Sequence, residues 1–276
     1  MILITGATGK VGRAAVDQLH EAGVEVRALV RSPETADLPP GVEVVRGDLA
    51  DPGSLDAALD GVHAVFLVWP TLAADAAAPV VVRRLAEQAQ HIVYLSAIGA
   101  DERAGAVLGS HGYLERLIDE TGVDRTFVRA GGFAGNDLGW AESIRTEGVV
   151  REYYDAWRRS VIHERDIAAV GVRALLEGRT GTTYEVTGPE SLTAPQRARI
   201  IAEVLGAPVR FEQMSREQML AEMATWMPIG EVNDALAGMD EMTAQPEPVL
   251  PTVVEVTGGP ARTYREWVAD HLADFR

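Results

Sequence analysis

The sequence contains no cysteine and almost no lysine. Without cysteine there can be no disulfide, no thiolate metal site and no cysteine nucleophile. Among 25 basic residues the single lysine is Lys10, and all the others are arginines. Any chemistry that needs a lysine side chain must therefore use Lys10, close to the start of the chain.

Positive charge is also scarce relative to negative charge, with a formal net charge of −16 over 276 residues. An excess of carboxylates argues against a nucleic-acid surface, which needs clustered Lys and Arg. No apolar run reaches membrane-spanning length, the first strand pattern starts at Met1, and the six histidines show no metal-ligand spacing. We therefore expect a cytoplasmic protein with a small-molecule partner and without a metal, a membrane or a nucleic acid.

The sequence does contain a glycine-rich opening, ITGATGKVG at residues 4–12. Apolar residues run directly into Gly6, Gly9 and Gly12, and a helical apolar pattern follows from Val11. Glycines in a strand–turn–helix context allow a tight turn, a close approach to a pyrophosphate and tight helix packing. The helix start then attracts phosphate. These residues predict a dinucleotide site.

The spacing Gly-x-x-Gly-x-x-Gly and the wording of this segment resemble the atypical short-chain dehydrogenases/reductases, in particular the NmrA-like branch. The run from His111 to Asn136 and the C-terminal third also resemble that branch. Strands and helices alternate up to about residue 135, which predicts parallel βαβ units. The predicted fold is α/β, a doubly wound parallel-sheet Rossmann domain at residues 1–135. A smaller substrate lobe would follow at 136–276, with some segments packing back on the first domain.

The predicted strand ends supply further cofactor residues. Arg31 ends the second strand, where NAD-binding proteins carry an acid, so an arginine there predicts pairing with the 2′-phosphate of NADP (NADPH). The resemblance implies that an Asp-Leu pair after the third strand borders the adenine. The complete set of predicted cofactor residues is Gly6, Thr8, Gly9, Lys10, Val11, Gly12, Arg31, Asp48, Leu49, Val68, Trp69, Pro70, Ser96 and Ala97.

The predicted helix from Val107 to Glu120 carries the catalytic candidates. Val107, His111, Leu114 and Ile118 recur with helical spacing and predict one inward face, with Glu115 near its edge. In the short-chain reductases this helix carries a Tyr-x-x-x-Lys pair, which a chain with only Lys10 cannot have. The resemblance implies that His111 donates a proton, with Ser96 and Glu115 as further candidate catalytic residues. A core histidine bonded to a backbone carbonyl is the alternative.

The second lobe contains the substrate candidates Phe133, Asn136, Trp140 and Trp157. Together with Trp69, Met214, Met219, Met223 and Met227 they predict a pocket for an apolar or aromatic substrate, although the methionines are equally typical of a packed helix stripe. We expect residues 137–160 to be irregular, Asp166 to cap a helix and Val253–Val256 to form a strand.

The favoured function is NADPH-dependent hydride transfer to a small conjugated or aromatic carbonyl or quinone. Two alternatives remain at this point. One is a non-catalytic NADP-binding redox sensor, a role known in the resembled family. The other is a tailoring oxidoreductase or oxygenase for an aromatic natural product. Fold analogy does not decide among them.

Overall fold

The computed structural model describes residues 1–69, 76–104, 106–225 and 229–276. Its strands are β1 Ile2–Ile4, β2 Val26–Val30, β3 Glu43–Arg46, β4 Ala64–Leu67, β5 His91–Ala97, β6 Asp124–Ala130, β7 Val149–Glu152, β8 Thr182–Val186 and β9 Arg210–Gln213. Its α-helices are α1 Lys10–Glu21, α2 Asp56–Leu59, α3 Ala78–Gln88, α4 Ala106–Thr121, α5 Ala141–Glu147, α6 Glu164–Glu177, α7 Ala194–Leu205, α8 Arg216–Met223, α9 Ile229–Thr243, α10 Thr252–Thr257 and α11 Tyr264–Asp270.

The chain divides into two compact units. The first comprises Met1–Gly131, Glu164–Val186 and Pro251–Ala261. The second comprises Gly132–His163, Thr187–Leu250 and Arg262–Arg276. The first unit is therefore discontinuous in sequence, because two later segments join the N-terminal segment.

The first unit is built on a seven-stranded sheet with the order β3-β2-β1-β4-β5-β6-β8. Every pair of neighbouring strands is parallel. Strands β1, β2 and β4 are buried along their whole length, as expected for apolar runs covered by helices on both faces. The order reverses between β1 and β4, which places the switch point of the sheet beside the glycine-rich turn. The predicted doubly wound Rossmann fold is confirmed.

The second unit has a small parallel sheet of β7 and β9, which α5 and α7 contact. Its main core gathers α5, α7 and α11 around the fully buried Trp267. A buried carboxylate, Asp137, lies in this core, where Arg197 Nη1 donates to both of its oxygens at 2.6 and 2.7 Å. Tyr264 donates to it at 2.6 Å. Burial raises the pKa of Asp137, and the Arg197 charge opposes that rise.

Three local predictions are wrong. Residues 137–160 are not irregular, since they include part of a 3-10 helix at Ala134–Trp140 and all of α5 and β7. Asp166 does not cap α6, which already begins at Glu164. The segment predicted as a strand at Val253–Val256 is α10, which buries Val253 and Val256 and leaves Val254 46% exposed. That i, i+3 burial is helical, and four residues are too few to distinguish it from a strand.

Candidate functional site

The turn between β1 and α1 has the geometry of a phosphate cradle. Gly6 has a φ of +58°, a conformation that favours glycine, and its carbonyl accepts the Gly9 amide at 2.9 Å. A Cβ at Gly12 would overlap the carbonyl of Gly6, so α1 can approach the turn this closely only with glycine there. Among the described residues no side chain caps α1. Its first turn is thus arranged to receive an anion.

A cleft of about 470 Å³ opens in the first unit at the carboxyl ends of β1, β2, β3 and β4. It is lined by Gly6, Thr8, Gly9, Leu29, Val30, Arg31, Gly47, Asp48, Leu49, Ala50, Val68 and Trp69. The structure therefore brings together eight of the predicted cofactor residues. The sequence reasoning missed Leu29, Val30, Gly47 and Ala50, although all four lie within two positions of a predicted residue near a strand end.

The remaining predicted cofactor residues lie elsewhere in the first unit or outside the described part. Lys10, Val11 and Gly12 form the first turn of α1, where Val11 and Gly12 are buried. Ser96 and Ala97 end β5 and do not line this cleft. Pro70 lies outside the described residues.

Arg31 lies at the mouth of the cleft, immediately after β2. Its side chain is exposed, and Arg46 Nη1 donates to its carbonyl oxygen at 2.8 Å. Arg46 also pairs with Glu34, at 2.9 Å. On the neighbouring turn, the Asp48 carboxylate accepts the Ala50 amide at 3.0 Å, which fixes the turn that follows β3. This site fits a dinucleotide with a 2′-phosphate, because it combines the glycine cradle, the uncapped start of α1 and the exposed guanidinium of Arg31.

Ser96, Glu115 and Arg129 form a hydrogen-bonded cluster where β5, β6 and α4 meet. The Ser96 hydroxyl donates to Glu115 Oε1 at 2.6 Å. Arg129 donates to both oxygens of Glu115, at 2.9 and 2.5 Å. The Glu115 side chain is only 8% exposed, and its hydrogen bond raises the pKa of Arg129. Glu115 thus acts as the acceptor that orients its two neighbours.

His111 lies one helical turn before Glu115 and contacts a different residue. Its Nδ1 lies 2.7 Å from the hydroxyl of the buried Tyr94. Burial raises the pKa of Tyr94 and lowers that of His111, with Glu115 opposing the second shift. This hydroxyl donates to Nδ1 or accepts from it, according to the tautomer of the ring. When Nδ1 is the acceptor, the neutral ring carries its proton on Nε2.

The structure brings Ser96 and Glu115 together and gives His111 a tyrosine partner that sequence reasoning missed. Alternation along β5 places Tyr94 and Ser96 on one face, and that signal could have identified Tyr94. On the predicted inward face of α4, Leu114 and Ile118 are buried as expected, but Val107 is 41% exposed. The catalytic roles of His111, Ser96 and Glu115 stay predictions.

The second unit contains its own cavity of about 460 Å³. It is lined by Asn136, Gly139, Trp140, Ser143, Arg151, Glu152, Tyr154, Trp157, Arg159, Arg197, Met214, Met219, Glu222 and Met239. Of the substrate candidates, Asn136, Trp140 and Trp157 line this cavity and Phe133 does not; Met223 is buried in a core cluster. Trp69 belongs to the cleft of the first unit, and Met227 lies outside the described residues.

Within residues 1–69, 76–104, 106–225 and 229–276, no group of three or more His, Asp or Glu side chains could hold a metal ion. No helix in those ranges combines the length and the apolar character needed to cross a bilayer.

Comparison with known proteins identifies the family. Residues 6–178 match the family model described as NAD(P)H-binding, and that range includes the glycine cradle, Arg31 and the Ser96–Glu115 cluster. This chain belongs to the NAD(P)H-binding, NmrA-like family of atypical reductases. Membership confirms the resemblance and the nicotinamide cofactor, and relatives named as reductases confirm the prediction of an oxidoreductase.

Individual members of this family match over almost their whole length. A (4-alkanoyl-5-oxo-2,5-dihydrofuran-3-yl)methyl phosphate reductase from Streptomyces griseus is 39% identical, with 100% of this chain and 99% of the relative covered. An NAD(P)H azoreductase from Xenophilus azovorans is 35% identical at the same coverage. The crystal structure of an Escherichia coli NADPH-dependent quinone oxidoreductase is 25% identical, covers 99% of this chain and 100% of its own, and has a TM-score of 0.79.

Proposed function

We propose that this protein is an NADPH-dependent reductase of small conjugated or aromatic carbonyl compounds, including quinones. The observation that carries the proposal is the cleft of the first unit, where a glycine cradle and an exposed arginine suit NADPH. The names of the related reductases support the substrate class, since one names a ring carbonyl compound and another a quinone. A cytoplasmic location and a small-molecule partner complete the proposal.

Arg31 is the residue that makes the protein prefer NADPH to NADH. A planar guanidinium matches the oxygens of a 2′-phosphate, whereas an acid at this position would repel them and bind ribose hydroxyls instead. Arg46 fixes the backbone that presents Arg31, because it donates to the Arg31 carbonyl and pairs with Glu34.

The chain's own contribution to the reaction centres on β5 and α4. Bound NADPH supplies the hydride, so the protein must bind, orient and deliver a proton. The imidazolium form of His111 would deliver this proton from Nε2, because Nδ1 is bonded to the Tyr94 hydroxyl. Ser96 and Arg129 are held by Glu115, which keeps the end of β5 in one conformation. This arrangement replaces the missing tyrosine–lysine pair.

The test follows NADPH absorbance with a panel of quinones, enones and aromatic ketones. We expect turnover with at least one conjugated carbonyl compound and a lower rate with NADH. The Gly12→Ala variant is the control, because it disrupts the cradle and leaves β5 and α4 intact. If the wild type binds NADPH and oxidises it with no member of the panel, the reductase proposal is wrong. The redox-sensor alternative then takes its place.

A further inference from the structure

The cavity of the second unit has walls of two different kinds. Aromatic side chains from Trp140, Tyr154 and Trp157 face the same space as methionine side chains. The cavity is also lined by Arg151, Arg159 and Arg197. A volume of about 460 Å³ falls within the usual range for small-ligand pockets. A purely packed core would not combine guanidinium groups with indole rings around open space.

Two of these arginines lie over the rings of the two tryptophans. The Arg159 guanidinium carbon is 4.5 Å from the centre of the Trp157 ring. The Arg197 guanidinium carbon is 4.8 Å from the centre of the Trp140 ring. Such stacked pairs present planar surfaces with a positive edge. Flat ligands with delocalised electrons suit these surfaces better than bulky aliphatic ones.

The carboxylates that pair with these arginines do not line the cavity. Arg159 Nε lies 3.2 Å from Glu247, and Arg197 pairs with Asp137, but neither acid belongs to the lining. Of the two acids that do line it, Glu152 accepts the Tyr153 amide at 2.8 Å and Glu222 is exposed on α8. Guanidinium groups therefore line the cavity, whereas the carboxylates paired with Arg159 and Arg197 are not among its lining residues.

Two donors in the lining residues have no acceptor within the described part of the chain. Trp157 Nε1 and Arg197 Nε are both buried and make no hydrogen bond there. Buried polar groups are nearly always hydrogen-bonded, so these two donors favour an occupant of the cavity that carries acceptor atoms.

We infer that this cavity binds a flat conjugated ring that carries an anionic oxygen group, such as a carboxylate or a phosphate. The ring lies against the tryptophan–arginine pairs, and the anionic oxygens face the guanidinium groups. That this ligand is the compound reduced rests on the proposed function. The binding site itself rests on the second unit alone.

Calorimetric titration of the cofactor-free, full-length protein tests the inference with two probes of the same shape. 2-Naphthoate carries a carboxylate, and 2-naphthamide is its uncharged counterpart. We expect naphthoate to bind about 10-fold more tightly than naphthamide, as a charge-assisted contact requires. Arg159→Gln should remove that preference and weaken naphthamide by a smaller factor than naphthoate, since both rings lose the guanidinium surface and only naphthoate loses the charge-assisted contact. Glu247 keeps its bond from the Ser160 amide in this variant, which favours a folded protein.

Three further variants separate binding from folding. Trp157→Leu should weaken both probes by a similar factor, and Arg159→Lys should retain part of the preference for naphthoate. Arg265→Gln, which removes an exposed arginine that pairs with Glu203, is the matched control and should change neither. Equal affinities for the two probes, no binding of either, or an unchanged preference in Arg159→Gln would overturn the inference. NADPH turnover that survives such a result would leave the proposed function intact.

Discussion

Replacement of Arg31 by glutamine should remove the preference for NADPH while leaving NADH binding unchanged. The side chain lies at the end of β2, at the mouth of the cleft, and is exposed. A hydrogen bond to a charged group contributes about 1.5–3 kcal/mol. Solvent screening of an exposed site moves this value to the low end. We expect a loss of about 1.4 kcal/mol, a tenfold weaker affinity for NADPH.

The assay is titration of NADPH and NADH into the wild type and Arg31→Gln, with Arg173→Gln as the control. Arg173 is a partly exposed arginine on α6 that pairs with Glu177 and does not line the cleft. The neighbouring Arg46 is engaged with Glu34 and so can replace Arg31 only in part. The reasoning is refuted if the wild type binds both cofactors equally, or if Arg31→Gln weakens both by the same factor.

The other predictions concern the cradle and the β5–α4 region. Gly12→Ala should abolish dinucleotide binding, as seen by calorimetry, with the circular dichroism spectrum retained; normal binding would make the turn merely structural. Glu115→Gln should lower the free energy of unfolding because it removes the charge that pairs with Arg129. The loss should be about 1–3 kcal/mol, less than for a fully buried pair, since Arg129 is 27% exposed and water can solvate it. A double-mutant cycle with Arg129→Met in urea should show coupling between the two residues. His111→Phe should lower turnover by about 10²–10⁴-fold at unchanged NADPH affinity; equal turnover would make His111 a core residue. Burial holds the pKa of His111 in the folded protein below the unfolded value of 6.5. The contribution of His111 to folding stability is therefore present above pH 6.5 and is lost as the pH falls through the folded pKa. The wild type should lose more stability on acidification than His111→Phe.

The sequence predicts the first unit well because its signals are local and repeated. Each apolar strand ends in a residue with a distinct chemical role, and parallel strands bring those ends to one edge of the sheet. Gly6, Arg31, Asp48 and Trp69 therefore meet in one cleft although they are far apart in the chain. The contact between Tyr94 and His111 depends on how α4 sits on β5, which periodicity alone does not specify.

The second unit is harder to predict because its elements are short. Strand β7 has four residues and α5 has seven, so neither displays enough periods for a pattern to be recognised. The buried pair of Asp137 and Arg197 is also invisible in sequence, since the two residues come from distant segments. The same is true of the stacking of Arg159 on Trp157, two residues that follow β7.

Transfer of label from deuterated NADPH tests the central claim most directly. The wild type is given NADPH with deuterium at one face of C4 and an enone or aromatic ketone that supports turnover, because deuterium added at carbon is retained whereas a reduced quinone exchanges it with water. The product is analysed by mass spectrometry. Hydride transfer on the enzyme predicts one deuterium per product molecule from one face of the cofactor and none from the other. A product without deuterium from either face would show that no hydride passes directly from NADPH to the substrate, and would contradict the assignment.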